Sequence, residues 1–555
     1  MRSVAPPPRL PVYGWHAAVT CHGMRGVVVA PQPLAAEIGA ELLARGGNAF
    51  DAAIGTAFAQ MVTDPQMCGL GGFGCATYAW PGGCQHAAFH ARAGSRATPD
   101  MWASDFRGRT ELGNYTLFDD HRANLGHTSV GTPGVVAGLA SLHTRARLPW
   151  AELIEPAATL ARQGFPAPEY VFEFVRRAQQ PGMPSGEQRM KYTPDSNRLW
   201  CREDGSFKQP GDHWANPYLA DTLERLARSG ARDFYAGELA EQIARELAQA
   251  GGYVTADDLR NYEVRRSECV EGTFRGLKIS SAAPPASGIT CVQMLQILNH
   301  FDRLVPEEPR SYVLLASAMH EAFAARLQAV GDPDFVEIPV AELTSAAWAA
   351  EAAGRIKDRT LRPAMASAGG EGTTHVSTYD ADGNAVALTH TLGIFSGVIV
   401  PSTGIALNSG MDLFDPIPGG PNSIEPGKAR VSGMAPTIVF DGRRPSIVSG
   451  APGTNAIVTS VFQVIAALVD GGLSPVEAVS TPRVHCEGGP VFVEGRVTSK
   501  ARQALAEAGF DLRFMPANYV PAFGRNQAIS IDARGHFRGA SDPRRDGGMA
   551  AYSAR

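Results

Sequence analysis

The chain has 555 residues, a formal net charge of −5 and 44% hydrophobic residues, enough to close a large buried core. The mildly acidic balance provides no cationic surface for nucleic acid or an anionic membrane, and no stretch approaches the roughly 20 apolar residues of a membrane span. Sixty glycines and 40 prolines are spread between periodic segments, which excludes a disordered chain and indicates a turn-rich globular one.

Residues 1–22 read as an N-terminal extension. Pro6, Pro7 and Pro8 stand in a row there and no apolar run of signal length follows, against a secretory leader. The eight cysteines form no CxxC pair and no zinc spacing, so the expectation is small buried hydrophobes, reduced thiols, a cytoplasmic location and no metal or cofactor.

Leu34 to Ala44 has helical spacing and ends at Gly46-Gly47; a second helix is predicted over Ala49 to Val62, closed by Asp64-Pro65. Gly69, Gly71 and Gly74 then match G-x-G-x-x-G, yet a helix precedes them and the strand-like CATYAW follows. A dinucleotide site needs the opposite order, so the glycines are read as permitting close backbone packing. Thr132-Pro133 predicts a capped helix through about Arg147. Further amphipathic helices fit Trp150–Arg162, Leu219–Arg228, Gly237–Ala250 and Val292–Phe301, and Thr255 to Asp258 has capping-box spacing.

The texture changes at Thr373. HVSTYD and AVALTHT flank the turn Ala381-Asp382-Gly383-Asn384, PTIVF and PSIVSG flank a second turn, Ala456 to Leu468 returns to helix, and NQAISID is a late strand. Helices first, strands late and no regular βαβ alternation predict an α/β (α+β) fold, with helices packed outside stacked antiparallel sheets.

The segment Gly370-Glu371-Gly372-Thr373-Thr374-His375 carries the chemistry. A hydroxyl is a poor nucleophile until a base takes its proton. A threonine that begins a chain carries its own base, an α-amine of pKa about 7.7–8. At mid-sequence this requires prior cleavage of the Gly372–Thr373 bond, and glycine leaves that carbonyl uncrowded.

With ELLARGGNAFDAAIGTAFAQ, GTPGVVAGL, FYAGELAEQIARELAQAGGYVTADDLRNYEV, TTHVSTYDADGNAVALTHTLG, MAPTIV, GAPGTNAI and GASDPRRDG in order, the chain resembles the gamma-glutamyltranspeptidase superfamily from about Gly26 to Tyr552. The resemblance implies a four-layer α/β/β/α N-terminal-nucleophile fold built by a large subunit, 23–372, and a small catalytic subunit, 373–555, cut from one precursor. It puts the nucleophile at Thr373, a second threonine that hydrogen-bonds it at Thr391, and the oxyanion-hole amides at Gly453 and Thr454. Two adjacent amides on a turn entering a helix are good oxyanion donors in any case.

The resemblance breaks at the positions that hold a glutamyl zwitterion in the superfamily. His90 stands where an arginine takes the α-carboxylate, either to bind an anion when protonated or simply to pack, and Arg92, two residues on, substitutes only if the loop shifts. Leu413, in Asn408-Ser409-Gly410-Met411-Asp412-Leu413-Phe414, stands where an acid takes the α-ammonium. Ser432-Gly433 replaces a Ser-Ser pair and Gly393 an asparagine; Gly410 is counted with them among the substrate-binding positions. Leaving a buried ammonium unpaired costs several kcal/mol. The expected activity is hydrolysis of an amide of a small acyl group, glutaryl-like or another small acid, through an acyl-Thr373 ester. The alternatives are a γ-glutamyl hydrolase or transferase acting on glutathione-like substrates, and a processed scaffold without catalysis.

Overall fold

A computed structural model describes residues 24–110, 115–176, 180–362, 372–545 and 548–553. The N-terminal extension 1–22, Cys21, Gly370-Glu371 ahead of the cleavage segment and the Asp546-Gly547 end of the GASDPRRDG stretch lie outside it.

Two antiparallel sheets stack face to face. The first has seven strands in the order Gly548–Ser553, Met24–Ala30, Thr374–Asp380, Ala385–Thr391, Phe73–Trp80, Gly83–Phe89, Arg265–Ser267. The second has six, in the order Phe537–Ser541, Gln527–Ile531, Arg444–Gly450, Thr437–Asp441, Leu277–Ser281, Val270–Phe274. Strand side chains alternate faces, and the burial follows that rule. Val27 and Val29 join Tyr379, Ala387, Ile438, Val448 and Ile529 in the core between the sheets. Val28, Val376 and Val386 turn the other way, onto Leu42, Phe50, Ile54 and Phe58 of the first two helices. On the far side, Ile279, Val439 and Ile447 meet Ile289, Leu295, Phe323 and Phe462. The result is the expected α/β/β/α stack.

The strands Thr374–Asp380 and Ala385–Thr391 lie between Met24–Ala30 and Phe73–Trp80 in one ladder. A cut before Thr373 would therefore leave both pieces hydrogen-bonded within the same sheet.

The helices Pro33–Ala44, Ala49–Thr63, Trp150–Gln163, Pro217–Ser229, Glu238–Gln249 and Ala456–Val469 match the predicted spans within three residues at each end, and Thr255 forms its capping box with Asp258. The Thr132-Pro133 reading needs correction. The helix there runs only Val135–His143, with Gly134 at its N-cap and no side-chain cap. The helix predicted over Val292–Phe301 runs Gly288–Leu298. Gly71 and Gly74 abut the backbone oxygens of Ala406 and Thr389, where a Cβ would sit at 2.4 and 2.2 Å, as their packing role requires. The seven described cysteines are unbonded. No helix among the described residues is long and apolar enough to cross a membrane.

Candidate active site

The hairpin register builds the site. Thr374 pairs with His390, so Thr373 and Thr391 fall opposite each other one step beyond, on one face of the sheet end. Thr373 Oγ1 donates to Thr391 Oγ1 at 3.1 Å. Thr391 Oγ1 also accepts the Gly393 amide at 2.8 Å, which fixes its orientation.

The backbone is strained at the predicted cleavage bond. Thr373 has φ +87°, a left-handed conformation that costs a β-branched residue about 1–3 kcal/mol. At Gly372 a Cβ would lie 2.4 Å from the Gly393 carbonyl oxygen, so this position has room for glycine alone without a shift of the chain.

Along the two strands next to Thr373, two buried histidines are held by neutral polar side chains. His375 is held by Thr389 at 2.8 Å and Ser377 at 3.0 Å, and His390 by Gln60 at 2.8 Å. Burial pushes both rings down to about 3. Among the described residues Thr373 Oγ1 has a single side-chain partner, the Thr391 hydroxyl. Among the described residues no histidine or carboxylate hydrogen-bonds that oxygen.

A small cavity opens over this pair, lined by Tyr115, Gly372, Thr373, Thr391, Gly393, Asp412, Leu413, Arg430, Ser432, Gly433, Met434, Thr454 and Ile457. It therefore gathers Gly372, Thr373, Thr391, Gly393, Leu413, Ser432, Gly433 and Thr454 from the sequence reading. Gly453 and Gly410 lie outside the lining. Gly453, at φ +135°, precedes Thr454, at φ +48°, and the turn feeds the helix Ala456–Val469 through Asn455. Thr454 thus occupies a left-handed position that glycine would hold without steric cost. Gly410 packs against Ala91 and Asn408.

The two positions weighed for the carboxylate, His90 and Arg92, lie outside this lining. His90 is buried, and neither ring nitrogen has a hydrogen-bond partner among the described residues. Burial above all, then His86, Arg430, Arg265 and Arg92, holds its pKa well below the ordinary value. The ring packs outside the cavity lining. Arg92 leaves the cavity too: its guanidinium donates to the Glu263 carbonyl at 3.0 Å and stacks 5.1 Å over Tyr262.

Sequence reasoning missed the charged pair in the wall, Asp412 and Arg430. Asp412 adjoins the predicted clamp position and was within reach. Arg430 sits in an irregular segment before Ser432, where no periodicity singles out one arginine.

The family model for gamma-glutamyltranspeptidase matches residues 35–552. The chain belongs to that family. It is 33% identical to the glutathione hydrolase proenzyme of Escherichia coli (strain K12) over 571 residues, covering 98% of this chain and 95% of that one. It is also 33% identical to the acylase ACY 1 proenzyme of Pseudomonas sp. (strain SE83), covering 100% and 98%. The crystal structure of cephalosporin acylase from Bacillus halodurans superposes with a TM-score of 0.86 at 28% identity over the whole of both chains. The protein is accordingly an amide hydrolase of the gamma-glutamyltranspeptidase family, with the N-terminal-nucleophile hydrolase fold.

Proposed function

We propose that this family member cuts itself between Gly372 and Thr373 and then hydrolyses the amide of a small acid through an ester on Thr373. In the precursor, Thr373 Oγ attacks the Gly372 carbonyl carbon, the C–N bond breaks and the nitrogen takes the hydroxyl proton. Water then cleaves the resulting ester, releasing the Gly372 carboxylate and restoring the Thr373 hydroxyl beside the amine already freed. The strain at Thr373, φ +87°, disappears with the bond, which favours the step. Both near-full-length relatives carry "proenzyme" in their names.

In the mature enzyme the free α-amine takes the Thr373 hydroxyl proton as the oxygen attacks the substrate carbonyl. Thr391 orients that oxygen. The amides of Gly453 and Thr454 face the developing oxyanion. As the tetrahedral intermediate collapses, the C–N bond breaks and the leaving amine takes the proton. Water repeats the sequence on the ester: the amine removes its proton, the C–O bond to Thr373 breaks, and the acid leaves.

Leu413, buried in the cavity wall where the superfamily resemblance places an acid, supports an acyl group without an α-amine, such as glutaryl. One observation favours the γ-glutamyl alternative: Asp412 lines the same cavity, and its Oδ1 has no hydrogen-bond partner among the described residues.

The observation that carries the proposal is the Thr373–Thr391 hydroxyl pair at the end of the hairpin. Intact-mass analysis tests it. Purified wild-type protein should give two fragments, the second beginning at Thr373, and Thr373→Ala should give one inactive chain. A fully active wild type that remains uncut would refute it.

A further inference from the structure

Arg430 is a buried cation whose protein partners leave it half-satisfied. Its side chain is 6% exposed and lines the cavity that holds Thr373. One nitrogen, Nη1, donates to the Val431 carbonyl at 3.2 Å. Its carboxylate neighbour, Asp412, lies 3.7 Å from Nη2, too far for a hydrogen bond. Among the described residues Arg430 Nε and Asp412 Oδ1 both lack a hydrogen-bond partner, while Ser409 donates to Asp412 Oδ2 at 3.1 Å. Phe73 covers the guanidinium from one side, its centroid 5.1 Å away. The neighbouring buried cation Arg189 is already occupied by the carbonyls of Asn124 and Phe395.

Desolvating a guanidinium costs several kcal/mol unless its donors are met, and buried donors left open mark a place where a ligand belongs. The five N–H groups of an arginine form a planar fork that fits a carboxylate with two parallel bonds. Three other residues of the lining, Leu413, Met434 and Ile457, are apolar. They suit the short methylene chain of an acyl group that runs from Thr373 to that fork.

We propose that Arg430, braced by Asp412, is the specificity residue that receives a terminal carboxylate on the acyl group, so that the substrates are half-amides of short dicarboxylic acids. The inference rests on Thr373 being the reacting end of the cavity and deepens that reading. It moves the anionic anchor from the segment of His90 and Arg92, where neither side chain serves, to the segment ahead of Ser432.

The test compares kcat/KM for glutaryl p-nitroanilide with that for its uncharged methyl ester. Wild type should prefer the carboxylate by at least about thirtyfold, a ratio within reach of one buried charged contact. Arg430→Gln should cut that ratio at least tenfold, chiefly through KM, and Arg430→Lys should restore part of it. A wild-type ratio near one, or a ratio unchanged in Arg430→Gln, overturns the proposal. If Arg430→Gln does not mature, a crystal structure of wild-type enzyme soaked with glutarate decides. A carboxylate on the Arg430 guanidinium supports the assignment; a carboxylate elsewhere in the cavity, or none bound, overturns it. Failure of the nucleophile reading is separate, because it would appear as an uncut active chain whatever the substrate ratio.

Discussion

Gly433→Ala is a small change with a large expected effect. An ideal Cβ at Gly433 would lie 2.1 Å from the Thr454 carbonyl oxygen, 2.7 Å from its carbonyl carbon and 2.8 Å from the Asn455 Cα. All three are backbone atoms, so no side-chain rotation relieves the clash. Ordinary contact begins near 3.4 Å, and the turn must retreat by about 1 Å to reach it. The helix that follows is buried along most of its length and will not travel with it, so the Gly453 and Thr454 amides move relative to Thr373. A misplacement of that size costs about a hundredfold in rate, near 2.7 kcal/mol. The assay is kcat on an acyl anilide, normalised to active sites by burst titration so that incomplete maturation does not distort it. Gly354→Ala, where a Cβ meets nothing within 4 Å, is the control and should leave kcat unaltered. A matured Gly433→Ala enzyme with kcat within twofold of wild type would remove the oxyanion assignment.

Three further perturbations probe separate parts of the account. Gly372→Ala should slow maturation so that the uncut chain persists for hours on a denaturing gel, because its Cβ meets the Gly393 carbonyl at 2.4 Å; processing at the wild-type rate would contradict the geometry. Thr391→Ala should lower kcat by about ten- to a thousandfold, the range of a catalytic donor, with little change in Tm; unaltered turnover would exclude it from the mechanism. Wild type should prefer glutaryl anilide to γ-glutamyl anilide by at least about tenfold in kcat/KM, roughly 1.4 kcal/mol, and Leu413→Asp should narrow that margin. Efficient γ-glutamyl hydrolysis with the glutaryl compound inert would transfer the ammonium contact to Asp412.

The layers of the fold were legible because period is legible. The 3.6-residue pattern of Leu34–Ala44 and the period-2 hairpin around Ala381-Asp382-Gly383-Asn384 each became the element they implied. The long helix Pro309–Ala329 was not, since most of its circumference is buried and such a helix shows no amphipathic stripe. The Thr132-Pro133 cap misled because the chain remains irregular through Gly134. At the site, the family resemblance pointed to Thr373 and Thr391, and the structure's hairpin register sets them opposite each other. Arg430 was hidden because its importance lies in unmet donors and in a neighbour 3.7 Å away, on residues 18 positions apart in sequence. Position counting pointed to His90 and Arg92, and only the packing shows one ring kept neutral and one guanidinium spent on Glu263.

The most direct test of the central claim is to trap the acyl enzyme. Wild-type protein treated with a mechanism-based amide electrophile, digested and mapped by mass spectrometry should carry one adduct, on the N-terminal residue of a peptide that begins at Thr373. An adduct on any other residue, or on a peptide still joined to Gly372 in fully active enzyme, would contradict it.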